Sequence, residues 1–145
     1  MARALRFWVE SNRRTARGQQ KGLDGLNEII AANRANKYLG AKQERENLAN
    51  VISFTRAAML AEHFAPINGK ARVTIEIIEP NHKRDTSNVI AATKYLLDGI
   101  TRPRGKKPGA GLIVDDSQSF CELFVSVNVQ KGRAGAVITV KELEE

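Results

Sequence analysis

Four residues could do chemistry together if the fold lets them meet. Asp85 stands where a strand-like stretch gives way to a helix, and Asp115-Asp116 close the short apolar run Leu112–Val114. Open α/β sheets gather their ligands at strand ends. Two or three carboxylates converging there would hold Mg²⁺ or Mn²⁺, hard ions that prefer oxygen ligands. Such an ion activates water, clamps a phosphodiester and offsets the charge that builds as it is cleaved. Lys94 shares a helical face with Ser87, Ala91 and Asp98, about two turns from the Asp85 end, from which it could reach a phosphate or polarise an attacking water. The same residues have plainer uses. Asp85 suits a helix cap, Asp115-Asp116 suit a turn, and Lys94 suits a surface pair with Asp98. On spacing alone the plainer uses are the favoured reading.

The elements that must position these residues are legible from periodicity. Leu5, Phe7 and Val9 alternate within Ala4–Val9 and predict a first strand. Ser11–Gly22 carries Arg13, Arg14, Arg17 and Lys21 without an acid and reads as a basic loop. Gly25–Asn33 reads as a short helix. Leu48, Val51, Ile52, Ala58 and Met59 recur near a period of 3.6 and predict a long helix from about Ala41 to Phe64, stopped by Pro66 and Gly69. Val73, Ile75 and Ile77 alternate with Thr74 and Glu76 in a half-buried strand that Pro80 ends. After the polar turn Asn81–Asn88, a helix runs to about Ile100 on Val89, Thr93, Leu96 and Leu97. Arg102–Gly111 holds four bases, no acid and several breakers, and predicts a mobile loop. Leu112–Val114 reads as a short strand. Cys121–Val129 and Ala136–Val140 read as strands joined in a hairpin through Gln130–Gly135. Phe7, Phe54 and Phe124 are expected in the core, and Glu142, Glu144 and Glu145 in a solvated tail. The sum is an α/β (α+β) fold: one domain over residues 1–145, with a small mixed sheet and helices packed on one face.

Composition bounds the function. The chain has 145 residues, 27% of them charged, and a net charge of +7. A basic domain of this size most often meets a polyanion, nucleic acid above all. No apolar run is long enough to span a bilayer, and Arg3, Arg6 and Glu10 interrupt the apolar N-terminus, so neither a membrane span nor a signal peptide is expected. The single cysteine, Cys121, cannot close an internal disulfide, which fits a reducing cytoplasmic compartment. Two histidines, His63 and His82, without a cysteine cluster argue against structural zinc.

Taken in order, Arg84-Asp85-Thr86-Ser87-Asn88, then Lys94, then Leu97-Asp98-Gly99-Ile100, then Gly111-Leu112-Ile113-Val114-Asp115-Asp116 resembles the signature of the RusA-type Holliday-junction resolvases. The upstream Gly25–Glu28, Asn33–Asn36 and Tyr38–Lys42 look like the Gram-positive phage branch of that family, and the resemblance covers roughly residues 23 to 141. It implies a phage- or prophage-encoded, metal-dependent endodeoxyribonuclease that works as a homodimer in the bacterial cytoplasm and makes paired nicks across a four-way junction, with Mg²⁺ or Mn²⁺ as cofactor. It assigns catalysis to Asp85, Lys94 and Asp116 and the metal to Asp85, Asp115 and Asp116, with Ser87 and Asn88 in support. Arg13, Arg14, Arg17, Lys83, Arg84, Arg102, Arg104, Lys106 and Lys107 are the bases expected to hold DNA. Ser87 stands where the family has a second aspartate. A hydroxyl is a poor ligand for a hard ion, so Asp115, Asp98 or Glu79 would have to compensate, and Ser87 is free to cap its helix instead. That departure keeps open an alternative, a catalytically weakened protein of the same fold that only binds branched DNA. An RNA-binding protein is a further rival, but it would need an aromatic stacking platform on the sheet.

Overall fold

Alternation at Ala71–Glu79 produces the strand around which the rest is arranged. In the computed structural model, which describes residues 3–144, the elements run β1 (Ala4–Glu10), β2 (Arg13–Arg14), β3 (Gln20–Lys21), α1 (Leu26–Ala35), α2 (Lys37–Ala61), β4 (Ala71–Glu79), α3 (Thr86–Ile90), α4 (Thr93–Ile100), β5 (Cys121–Val129) and β6 (Gly135–Glu142). The main sheet has the order β1-β6-β4-β5, and β2 and β3 form a small antiparallel pair. β6 runs antiparallel to both of its neighbours, whereas β5 runs parallel to β4. The fold is mixed α+β.

One face of the sheet builds the core. Leu5, Val9, Val73, Ile75, Ile77, Ile138 and Val140 point from the strands toward Leu48, Val51 and Ile52 of α2 and Leu96 and Ile100 of α4, and all are buried. Non-directional burial of this kind is the main force holding the layers together. α2 and α4 approach closely because residue 99 is glycine, since a Cβ there would overlap Val51. The opposite face is open, with Arg6, Thr139, Thr74 and Phe124 in register across it. Among the described residues no helix is long and apolar enough to cross a membrane.

Several expectations need correction. β5 and β6 do not form a hairpin, because β4 lies between them. The turn from Gln130 crosses the end of β4, where the Gln130 N–H donates to the Glu79 carbonyl at 3.0 Å, and delivers β6 to the far side. Apolar alternation marks strands but does not say which strand is the neighbour. The expected helix up to Ile100 is two helices, interrupted at Ala91–Ala92. Leu112–Val114 is not a strand and makes only a single bridge, Ile113 with Thr101. The basic loop Ser11–Gly22 contains β2 and β3. Phe124 is not in the core but 54% exposed on the open face. Glu142 belongs to β6 and pairs with Arg3 at 2.9 Å, and Glu145 lies outside the described residues.

Candidate functional site

The second half of the α3–α4 run, the loop after it and the approach to β5 bring acids and bases together. On α4, Lys94 and Asp98 are one helical turn apart, and Lys94 Nζ lies 3.2 Å from Asp98 Oδ1. The chain then leaves the helix and folds back on it. The Ala110 N–H donates to Gly99 O at 2.8 Å, Gly111 N–H to Thr101 O at 2.9 Å and Leu112 N–H to Ile100 O at 2.9 Å. Arg102–Gly111 is therefore strapped to the end of α4 instead of being the mobile connection expected from its composition, and a tight turn between Arg104 and Lys107 forms its tip.

That strapping sets Asp115 and Asp116 beside Lys94. Asp116 Oδ2 is 3.7 Å from Lys94 Nζ, and Arg104 Nη2 reaches both Asp115 Oδ1 and, at 3.4 Å, Asp116 Oδ1. The Asp116 N–H donates to Asp115 Oδ1 at 2.9 Å, which holds the Asp115 carboxylate against the Asp116 backbone. Lys107 Nζ closes the group on Asp98 Oδ2 at 2.8 Å. Three acids and three bases thus meet at the surface, and Lys94 and Arg104 are the most exposed of them. Burial, with the charge of Asp116 added, pushes the thiol of Cys121 at the start of β5 above its ordinary value.

Asp85 does not join them. It occupies the N-cap position of α3, without a side-chain capping bond, so Ser87 is not the cap. Because β4 and β5 are parallel, the Asp85 turn follows the C-terminal end of one strand while Asp115-Asp116 precede the N-terminal end of the other. The two acidic stretches therefore lie toward opposite ends of that strand pair. Among the described residues no group of three or more His, Cys, Asp or Glu side chains could hold a metal ion, so the expected Asp85–Asp115–Asp116 centre is not formed. Asp98 shares the Lys94 ammonium with Asp116, but it does not complete a three-carboxylate group with Asp115 and Asp116 either. Its spacing of four from Lys94 was the available signal, and a surface ion pair was the reading it favoured.

Asp85 instead adjoins a second charge cluster, largely buried. Arg84 grips Glu79 with two bonds, Nε to Oε1 and Nη2 to Oε2, both 2.8 Å, donates to Leu23 O at 2.8 Å and reaches Glu28. Arg13 pairs with Asp24 at 3.0 Å and donates to Gly22 O at 2.8 Å. Asp24 also accepts from Asn47 at 3.1 Å. Burial alone would raise the Glu28 carboxyl, but the Gly25 N–H and the Arg84 and Arg13 guanidiniums outweigh it and hold Glu28 below the usual range. Burial likewise opposes the charge on Arg84, and Glu79 and Glu28 more than restore it. Gly22 leaves room for the Glu79–Arg84 pair, which a Cβ would strike. Asn88, buried, accepts the Asn27 N–H at 2.7 Å and ties α3 to the start of α1.

Above this cluster opens a hollow of about 1030 Å³. Its walls include Arg13, Arg14, Lys83 and Arg84, and also Lys21, Lys131 and Arg133, which the sequence reading did not assign. Lys131 and Arg133 come from the β5–β6 turn, and the Arg133 guanidinium stacks 4.0 Å from the Trp8 ring centroid. Arg17 is exposed nearby in chain order, while Arg102, Arg104 and Lys106 are exposed on the strapped loop, where Arg102 donates to Asn68 at 2.8 Å. The expected DNA-binding bases therefore fall into two groups, and Arg13 and Arg84 are consumed in holding the fold. No family model and no curated protein matches this chain.

Proposed function

We propose that the chain is an endodeoxyribonuclease of the RusA type that cuts branched double-stranded DNA, such as a four-way junction, with Mg²⁺ or Mn²⁺ as cofactor, and that it works as a homodimer in the bacterial cytoplasm. The single observation that supports this is the convergence of Lys94, Asp98 and Asp116 with Asp115 from two separate stretches of an otherwise basic chain. Asp115 and Asp116 suit a hard ion of the kind that takes one or two protein carboxylates and completes its shell with water and substrate phosphate. When bound, such an ion activates water and offsets charge on the scissile phosphate. Lys94, 73% exposed at its side chain, then donates to a phosphate oxygen. Arg104, whose planar fork matches a phosphate as well as a carboxylate, exchanges one for the other as DNA arrives. Arg102 and Lys106 extend that grip, Arg14 and Lys83 hold an arm of the junction along the hollow, and exposed Arg17 adds to it from the same loop as Arg14.

A second reading is a branched-DNA-binding protein with weakened catalysis. Ser87 favours it, as does Asp85 standing apart from the other acids. Cleavage of a synthetic four-way junction in Mg²⁺ or Mn²⁺, run beside Asp116→Asn, Lys94→Ala and Asp85→Asn, decides between them. Loss of nicking in Asp116→Asn with junction binding retained supports the nuclease. Binding without nicking in every protein supports the second reading, and indifference to the junction ends both.

A further inference from the structure

β5 is the outer strand of the main sheet, and its free edge is bonded to no other strand. Among the described residues, no backbone group from Glu122 to Val129 pairs with anything but β4. Sheet edges normally carry lysines, prolines, bulges or a covering element, because an open row of N–H and C=O groups recruits another strand. β5 has nine residues, none of them Lys, Arg, Pro or Gly. Its one charge, Glu122, is already bound by Arg72 at 2.8 Å. On the other edge, β1 carries Arg6 and Glu10, and Asn50 of α2 donates to the Glu10 carbonyl at 2.8 Å. Large apolar side chains collect beside the free edge. Leu123 is 39% and Phe124 54% exposed, and Ile90 of α3, which lies against β5, is 38% exposed.

The sequence of β5 is self-complementary about its centre. Cys121, Leu123, Val125, Val127 and Val129 alternate with Glu122, Phe124, Ser126 and Asn128. Turned by a two-fold axis at Val125, the strand sets Leu123 against Val127, Cys121 against Val129, Phe124 against Ser126 and Glu122 against Asn128. Apolar positions meet apolar ones on the core side, and no like charges face each other. For a chain of net charge +7, this is a stretch where two copies can approach without repulsion.

We propose that two copies of this chain pair antiparallel through β5, joining their four-stranded sheets into one continuous sheet about a two-fold axis near Val125. This assigns an interface to the homodimer of the preceding reading, on grounds independent of nuclease chemistry. An isologous contact of this kind closes on itself and leaves no further edge of the same sort. The half-exposed Leu123, Val125 and Val127 become buried along the extended core face. The two Cys121 ends, each with its Asp116 nearby, point away from one another, about 27 Å apart along eight strand steps.

Sedimentation of the whole chain from low to high micromolar concentration tests the interface, since one copy weighs 16.0 kDa. Wild type is expected at twice the mass of one copy. Leu123→Lys combined with Val125→Lys is expected at the monomer mass with an unchanged circular dichroism spectrum, whereas Tyr38→Lys combined with Leu39→Lys stays dimeric. Should the strand variant unfold, Val125→Cys in a Cys121→Ser background gives the answer, because facing positions in an antiparallel pair lie close enough for a disulfide. It is expected to form a linked dimer on oxidation, and Ser53→Cys in the same background is not. A wild type that stays monomeric at the highest concentration overturns the proposal. So does a folded strand variant that remains dimeric, or a Val125→Cys protein that links no better than Ser53→Cys. A chain that is monomeric yet nicks junctions overturns this interface alone, and a dimer that nicks nothing overturns the nuclease reading alone.

Discussion

Two charge clusters lie along the same stretch of chain and use the same residue types to opposite ends. Around Arg84, the guanidinium and its partner Glu79 are largely out of water, each donor has an acceptor, and a glycine is required to make room. Around Asp116, the bases are long, exposed and shared among several acids. The first arrangement is costly to disturb because removing one partner strands a buried charge, while the second is cheap because solvent can take the place of any member. Two residues of the same type, Arg84 and Arg104, therefore fall on different sides of the line between holding the fold and standing exposed at the surface.

The Arg84–Glu79 pair should respond most strongly to substitution. Glu79→Ala leaves the Arg84 guanidinium without its main partner and should cost about 3–5 kcal/mol in urea unfolding. A loss under about 1 kcal/mol would mean that the network is solvated and that the two clusters are alike. Gly22→Ala should come next, at about 1–3 kcal/mol by the same measurement, through crowding of Glu79 and Arg84.

Acid sharpens the contrast. The Glu28 carboxyl is depressed in the folded chain, so its stabilisation is present above the ordinary value of 4.5 and is lost as pH falls through the lower folded value. Glu28→Gln should flatten the acid limb of a stability–pH curve, and an unchanged limb would remove Glu28 from the network. At the small end, Lys94→Ala should shift stability by no more than about 0.5 kcal/mol while lowering junction nicking on the order of 100-fold. Equal effects on both would make Lys94 a structural residue.

Much of the architecture was open to a reader of the sequence, because period-two and period-3.6 patterns follow directly from which face is buried. β1, β4, β5, α1 and α2 lie close to where alternation and the apolar stripe put them. Neighbour relations were not open, since Val125 or Ile138 alternates in the same way whichever strand lies beside it. The site was legible in part. Lys94, Asp115 and Asp116 do meet, but Asp85 was grouped with them through an ordered motif, and chain order carries no information about opposite ends of a parallel strand pair. Arg13 and Arg84 looked like free bases because their acid partners, Asp24, Glu28 and Glu79, are scattered along the chain and only the fold collects them.

The position of β6 has a consequence for how the chain acquires this shape. β1 pairs with β6 alone, across more than a hundred intervening residues, and β4 gains its second neighbour only from the same strand. During synthesis the first strand must therefore wait unpaired until residues 135–142 have left the ribosome, while α2 and α4 already have apolar stripes to hide. Closing so wide a loop late is slow, and it exposes sticky strands meanwhile. This chain should fold in one late, concerted step, and a stall before β6 emerges should leave an aggregation-prone intermediate.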